Sequence, residues 1–332
     1  MGLIDSFGRS IEYIRVSVTD RCNYRCHYCR PPKGIELNEH DEILTLEEIA
    51  RLVRLFTELG VTRVRLTGGE PLLRRNVLTL IQELGALPEL DDLSLSTNAH
   101  LLAPMAQELK AAGVTRVNIS LDSLNQETFD KVPRGGDVTA VLAGIDAALA
   151  ADLTPVKVNM VVMGGVNDHE IVPMVEFAMA RGVLLRFIET MPVGEAGRDA
   201  MGSYVPADAI FDKIRARFGG EMIPTRGGRG FGPARYFKIE GAGANVGVIS
   251  ALSQHFCEDC NRVRLTSRGS LALCLGREDR VDLRSPLRQG ASDDAMKELI
   301  REAVTNKPKR HAFSEEPEVE PAVSHRMSAL GG

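Results

Sequence analysis

The chain has 332 residues, a length that suggests one large domain or two smaller ones. Its 45 acidic and 40 basic residues give a formal net charge of −5, which argues against a dedicated nucleic-acid-binding protein. The N-terminus lacks a secretion signal, and no apolar run of about 18 residues predicts a membrane span. We therefore expect a cytoplasmic protein, in which clustered cysteines more often bind metal or do chemistry than form disulfides.

Between residue 11 and about residue 190, short β-branched runs alternate with helical stretches. Strands are predicted at 14–19, 61–67, 93–97, 114–121, 156–163 and 183–189, and helices at segments such as 44–60 and 139–153. Thr45 and Glu48 form a capping-box pattern. Gly60, Gly113 and Gly182 stand where helices are expected to end. Six strands that alternate with helices predict a parallel sheet.

The predicted strands have one apolar and one polar face. In the first strand, Ile14, Val16 and Val18 share one face, whereas Arg15, Ser17 and Thr19 share the other. A doubly wound sheet is covered on both sides and would be apolar on both. A polar side facing solvent is the alternative, but parallel sheets rarely leave one face bare. We therefore predict an α/β fold with a partial, open TIM-type βα barrel whose wet lumen holds a ligand.

Three cysteines follow the first strand in the segment RCNYRCHYCR, at Cys22, Cys26 and Cys29. A closed zinc site needs four ligands, and His27 is a candidate fourth. An iron–sulfur cube is normally held by four thiolates, so three leave one iron without a protein ligand. Because an open position marks a catalytic metal centre, we favour an iron–sulfur cluster over zinc.

The alternation of strands and helices ends after about residue 220. The segment that follows, TRGGRGFGPARYFKIEGAGANVGVIS, is rich in glycine and predicts short strands. We therefore predict a barrel over residues 1–220 and a smaller C-terminal cluster-binding region over 221–332. The latter carries a second set of three cysteines, Cys257, Cys260 and Cys274, for which zinc with His255 is again the alternative. The polar, proline-containing stretch 307–332 predicts a loosely ordered tail.

The cysteine loop, with Tyr28 before its last cysteine, and GGEP at 68–71 resemble the radical S-adenosylmethionine superfamily. In that superfamily, the cofactor chelates the open iron, and one electron releases a 5′-deoxyadenosyl radical. The stretches DRCNYRCHYCRPP, LTGGEPLLR, GPARYF and 247–275, with the final Gly-Gly, are similar to the GTP 3′,8-cyclases of molybdenum cofactor biosynthesis. Two positions depart from that pattern. Arg30 replaces an expected methionine, and LALCL, which includes Leu273, replaces a more polar run.

The resemblance implies a radical lyase with two [4Fe–4S] clusters that uses S-adenosylmethionine and GTP. The first cluster would be held by Cys22, Cys26 and Cys29, and the second by Cys257, Cys260 and Cys274. The adenosylmethionine site would be lined by Tyr28, Gly69, Ser120 and Met191. GTP would be bound by Arg15, Arg65, Thr97, Lys157, Arg262 and Arg264, and the tail glycines Gly331 and Gly332 would act in catalysis. The implied partners are a flavodoxin- or ferredoxin-like reductant, the downstream cyclic pyranopterin monophosphate synthase and a second copy of the chain.

The positions of the basic residues in the sequence support the implied GTP site independently of the resemblance. Arg15, Arg65 and Lys157 lie on the predicted polar face, and Arg262 and Arg264 share a side just beyond Cys260. A triphosphate would match their charge. The alternative is a network of internal ion pairs with acids nearby in sequence, namely Glu70, Asp122 and Glu189.

Two other functions stay open at this point. One is a peptide-modifying radical enzyme with an auxiliary cluster, although such enzymes usually carry more C-terminal cysteines than three. The other is a zinc- or cluster-stabilised scaffold that binds nucleic acid. The negative net charge and the lack of mixed aromatic and basic stripes count against it.

Overall fold

The computed structural model describes residues 2–35, 37–225, 232–314 and 323–331, and a sheet of 12 strands forms its centre. The strands are β1 (Tyr13–Ser17), β2 (Arg63–Thr67), β3 (Asp92–Thr97), β4 (Arg116–Ser120), β5 (Lys157–Val161), β6 (Leu184–Ile188), β7 (Met222–Thr225), β8 (Arg235–Ile239), β9 (Ala244–Ile249), β10 (Arg262–Leu265), β11 (Ser270–Ala272) and β12 (Arg280–Asp282). The first six confirm the six predicted strands, with bounds that differ by at most two residues at either end.

Helices follow most of the central strands. They are α1 (Leu46–Glu58), α2 (Val77–Gly85), α3 (Ala106–Ala111), α4 (Gln126–Lys131), α5 (Val138–Ala150), α6 (Ile171–Arg181), α7 (Gly194–Ala200), α8 (Ala207–Phe218), α9 (Arg284–Arg288), α10 (Asp293–Thr305) and α11 (Met327–Leu330). The predicted capping box begins α1, where the Thr45 side chain accepts a hydrogen bond from the Glu48 amide. Gly182 ends α6 in the left-handed conformation, with φ 66°.

The strand order is β12-β11-β10-β1-β2-β3-β4-β5-β6-β9-β8-β7. The eight strands from β10 to β9 are all parallel, whereas the outer strands at each side pair antiparallel. The sheet is not closed, so the predicted partial barrel is confirmed. The C-terminal strands continue this sheet on both sides, with β9 beside β6 and β10 beside β1. The predicted boundary near residue 220 falls between α8 and β7.

The apolar core lies between the sheet and the outer helices. Ile14 and Val16 of β1 and Val64 and Leu66 of β2 are buried there, as the predicted strand faces require. Full burial of each such side chain contributes about 1.5–3 kcal/mol. Because these residues take the outer face of the sheet, the polar residues that alternate with them face the inside.

The C-terminal stretch corrects one expectation. The prediction of a loosely ordered tail over 307–332 is wrong for much of its described part, because Lys307, Val323 and Leu330 are buried. Leu330 packs in a small apolar cluster with Val193 and Ala272. Gly332 lies outside the described residues. Within the described ranges, no helix is both long and apolar enough to cross a membrane.

Candidate active site

A cavity of about 280 Å³ lies on the polar face of the sheet. Both cysteine sets line it, the first triad being Cys22, Cys26 and Cys29 and the second triad Cys257, Cys260 and Cys274. All six thiols are free. Two groups of soft ligands, far apart in sequence, therefore open into one space.

The first triad lies on the loop after β1. The amides of Cys29 and Arg30 both donate to the Cys26 carbonyl at 2.9 Å, which folds the end of the loop back on itself. Two further backbone bonds, from Arg25 to Pro133 and from His27 to Val132, anchor the loop beside the end of α4. These bonds hold the three thiols at the cavity without using their sulfur atoms.

Burial raises the pKa of every thiol in the first triad. Asp122 adds to this effect at Cys26, and Cys22 adds to it at Cys29, whose pKa is raised to about 12. Three thiolates can therefore coexist here only with a cationic partner. A set of three free, converging thiols fits an iron–sulfur cube with one iron left open.

The second triad has a more cationic setting. Burial favours the neutral thiol of Cys260, but Lys307 and Arg262 outweigh it and lower its pKa to about 7. Lys307 is itself fixed by a hydrogen bond of 2.5 Å from its ammonium group to the Leu273 carbonyl, next to Cys274. Burial raises the pKa of Cys274, although Lys307 opposes this effect. The three free thiols of the second triad therefore suit an iron–sulfur cluster and not a single metal ion.

A closed zinc site does not fit either triad. Across the residues that the structure describes, no three His, Cys, Asp or Glu side chains are close enough to hold a single metal ion. The two histidines proposed as fourth ligands, His27 and His255, therefore complete no such site.

The predicted adenosylmethionine residues Tyr28, Gly69, Ser120 and Met191 all line the cavity together with the first triad. The Tyr28 hydroxyl donates to Asp122 at 2.8 Å, which fixes the ring beside Cys29. Gly69 lies where the backbones of two loops meet, because a Cβ there would come within 2.2 Å of the Arg21 carbonyl oxygen. A glycine at this position leaves room for close backbone approach.

Among the described residues, six arginines line the cavity. Arg30 lies beside the first triad, and the other five are named here the basic wall: Arg15, Arg65, Arg186, Arg262 and Arg264. Four of them were predicted to bind GTP. Lys157, also predicted, is buried and does not line the cavity. Thr97 does line it, but its hydroxyl donates to Glu70 at 2.8 Å.

The acids proposed as internal partners of these cations have other roles. Glu70 accepts hydrogen bonds from the amides of Leu72 and Asn98 as well as from Thr97. Asp122 accepts from Tyr28 and the Val161 amide, and Glu189 from the Ala207 amide and the Ser253 hydroxyl. In the described ranges, Arg65, Arg262 and Arg264 form no ion pair with a carboxylate. The internal-network alternative is therefore wrong for these three arginines.

The tail reaches the same cavity. Met327 and Ser328 line it, and the Arg264 guanidinium donates to the carbonyl oxygens of Leu330 and Gly331. Gly331 has φ 72°, and a Cβ there would come within 2.2 Å of Thr67. Gly331 therefore lies against two residues of the cavity wall, Arg264 and Thr67, and its role in catalysis stays a prediction.

Comparisons with known proteins agree with this geometry. Residues 16–178 match the family model "Radical SAM superfamily", and residues 183–313 match "Molybdenum Cofactor Synthesis C". The GTP 3′,8-cyclase of Hydrogenovibrio crunogenus is 52% identical over 333 residues, covering 100% of both chains. That of Heliobacterium modesticaldum is 47% identical, covering 95% of this chain and 96% of the relative.

The chain belongs to the GTP 3′,8-cyclase family. This membership confirms the resemblance and decides against the peptide-modifying enzyme and the nucleic-acid-binding scaffold. Because GTP 3′,8-cyclases are radical SAM enzymes, it also implies a [4Fe–4S] cluster and S-adenosylmethionine. The first triad and the residues beside it fit both groups.

Solved structures support the fold. The crystal structure of Streptococcus suis SuiB bound to precursor peptide SuiA matches with a TM-score of 0.54. The match covers 94% of this chain and 75% of that chain, at 15% identity. At this identity the likeness shows a shared fold alone.

Sequence reasoning missed two cations of this GTP 3′,8-cyclase site. Arg186 was not assigned to a ligand, although its alternation with the apolar Leu185 and Phe187 in the predicted strand 183–189 was the available signal. Its guanidinium donates to Asn118 at 2.5 Å, and burial lowers its pKa to about 10. Lys307 carried no such signal, because it lies in a polar stretch without strand periodicity.

Arg30, which replaces the expected methionine, is buried beside the first triad. Its guanidinium donates to the Asp20 carbonyl oxygen and lines the cavity. The other departure, Leu273, also lines the cavity, and its carbonyl accepts the bond from Lys307. Arg30 therefore contacts the loop of the first triad, and Leu273 contacts the lysine beside the second triad.

Proposed function

We propose that this chain converts GTP to (8S)-3′,8-cyclo-7,8-dihydroguanosine 5′-triphosphate, the first step of molybdenum cofactor biosynthesis. One observation carries the proposal: both triads and the basic wall face the same cavity. Such a site can hold a cofactor at one triad and an anionic nucleotide between the two.

The first triad would hold a [4Fe–4S] cluster that binds S-adenosylmethionine, and these groups would supply the radical chemistry that starts the reaction. Tyr28, Gly69, Ser120 and Met191 surround the cofactor. Tyr28 is held in place by Asp122, so its ring provides a fixed wall that keeps water from the reacting atoms.

The second triad would hold another [4Fe–4S] cluster, which would bind the guanine of GTP. Two observations support this assignment: the triad offers three free thiols as ligands, and Cys260 lies beside positive charges that lower its pKa. Of the predicted GTP residues, Arg15, Arg65, Thr97, Arg262 and Arg264 bind and orient the nucleotide from the cavity wall, and buried Lys157 acts on it through its charge. Planar guanidinium groups suit phosphate oxygens because they donate in pairs.

The partners follow from the chemistry. The first cluster needs one electron, and the exposed Arg21, Arg25 and Lys33 around its loop suit an acidic flavodoxin- or ferredoxin-like reductant. The product passes to cyclic pyranopterin monophosphate synthase. Six free thiols suit a reducing cytoplasm. The chain works there as a homodimer, and each subunit has two regions, 1–220 and 221–332.

Anaerobic reconstitution tests this proposal. The wild-type chain should bind about eight irons, four for each cube, and form 5′-deoxyadenosine and cyclised GTP. Cys26→Ala should abolish cleavage of adenosylmethionine. Cys260→Ala should lose about half of the iron and the cyclised product but keep some cleavage, so the two variants serve as controls for each other. Normal product from Cys260→Ala would leave the second triad with a structural role only.

A further inference from the structure

Tyr13 opens β1 on the same face as Arg15, two residues nearer the amino end of the strand. Its register partners are Arg262 on β10 and Arg63 on β2. The side chain is 4% exposed, and the Arg65 guanidinium lies 5.4 Å from the centre of its ring. Tyr13 therefore packs directly behind the basic wall and is not itself among the residues that line the cavity.

The Tyr13 hydroxyl is buried and has no hydrogen-bond partner in the described structure. Its strongest charged neighbours are all arginines, led by Arg65 and followed by Arg15, Arg262 and Arg116. Burial raises the pKa of Tyr13, but these arginines outweigh it and lower the pKa overall. A guanidinium only donates hydrogen bonds, so none of them can accept the phenol proton.

The carboxylates nearest this region already serve other groups. Asp92 accepts from the Nε of Arg116 at 2.9 Å, and Glu12 accepts from Arg63 at 2.9 Å. Arg186 of β6 is also near enough for Tyr13 to influence its pKa, so the phenol lies among cations from both sides of the barrel. A buried donor surrounded by donors lacks an acceptor, and such groups in native proteins require an explanation.

We propose that Tyr13 is a further substrate-binding residue, whose hydroxyl donates a hydrogen bond to a phosphate oxygen of bound GTP. The inference deepens the proposed function and rests on its assignment of the basic wall to GTP. A phosphate oxygen is an acceptor that the surrounding arginines would themselves attract. The same anion would thus satisfy the guanidinium groups and the phenol together.

Tyr13→Phe tests this contact, because it removes the hydroxyl and keeps the ring against Arg65. Loss of a hydrogen bond to a charged group should weaken GTP binding about ten- to hundredfold. Inorganic triphosphate, which has no base or ribose, should lose affinity by a similar factor. Tyr204→Phe makes the same change outside the cavity and should bind both ligands like the wild type.

Each outcome bears on the proposal separately. Unchanged binding of GTP by Tyr13→Phe overturns it, and so does a loss confined to GTP with triphosphate unaffected. Adenosylmethionine binding and the melting temperature should stay at wild-type values, which separates a lost contact from misfolding. A wild-type chain that fails to bind GTP at all would instead refute the proposed function.

Discussion

At the scale of single residues, Lys157 shows how strongly burial and neighbouring positive charges lower the pKa values of the cations in the site. Burial is the largest cause that lowers its pKa, and Arg116, Arg186 and Arg65 add to it, so the pKa falls from 10.5 to about 6. Burial likewise lowers the pKa of Arg264 to about 10, with Arg262 as the next cause. A polyanion bound among these groups would reverse such shifts, because opposite charge favours the protonated form.

We therefore expect GTP binding to take up protons. At pH 8, a Lys157 with a pKa of about 6 is neutral, and it becomes protonated when the negative charge of the bound phosphates raises that pKa. Affinity should consequently fall as the pH rises from about 6 to 8. Calorimetric titrations in two buffers of different ionisation enthalpy measure this uptake, and Lys157→Met should remove it. Equal uptake in both proteins would assign the proton to another group.

At the scale of elements, the loops after β1 and β2 are pressed together beside the first triad. The Gly69 amide donates to the Thr19 carbonyl and the Glu70 amide to the Arg21 carbonyl, both at 2.8 Å. Buried Glu70 then reaches across to Thr97 and Asn98 at the end of β3. The GGEP motif thus links three neighbouring strand ends around the proposed cofactor position.

Gly69→Ala should separate these loops, since its Cβ would otherwise lie 2.2 Å from the Arg21 carbonyl oxygen. We expect adenosylmethionine to bind at least about tenfold more weakly, while GTP affinity changes little, because small displacements at a site are costly. Equilibrium binding of both ligands measures the difference. Gly202→Ala, where no atom lies within 4 Å of the added Cβ, is the matched control. Equal affinities in the two variants would contradict this role.

The strands and the polar lumen could be predicted because alternation along one strand fixes which side chains share a face. Arg15 and Arg65 were found in this way, as neighbours in register on β1 and β2. The burial of Lys157 and the role of Lys307 could not be predicted in this way, because both depend on contacts with segments that are distant in sequence. The placement of β9 and β10 was also missed, since periodicity gives strand faces and not strand order.

At the scale of the whole molecule, the C-terminal tail of the chain packs against the candidate active site. The described end of the tail, residues 323–331, packs Leu330 against Val193 and brings two carbonyls to Arg264. Arg264 is also a proposed GTP ligand. One guanidinium therefore joins the tail to the substrate position, so tail placement and substrate placement should be coupled.

Deleting Gly331 and Gly332 should uncouple the two halves of the reaction. Folding, iron content and cleavage of adenosylmethionine should stay largely intact, because the first triad keeps its loop contacts. Conversion of GTP should fall by about 10²-fold, since Arg264 loses a fixed acceptor and small misplacements of reacting atoms slow reactions by that order.

Gly331→Ala should give a similar but smaller loss, because φ 72° and the 2.2 Å approach to Thr67 disfavour a side chain there. Measuring 5′-deoxyadenosine and cyclised GTP in the same reaction provides the test, with Gly202→Ala as control. A truncated chain that forms both products at the full-length ratio and rate would show that the tail contact has no part in catalysis.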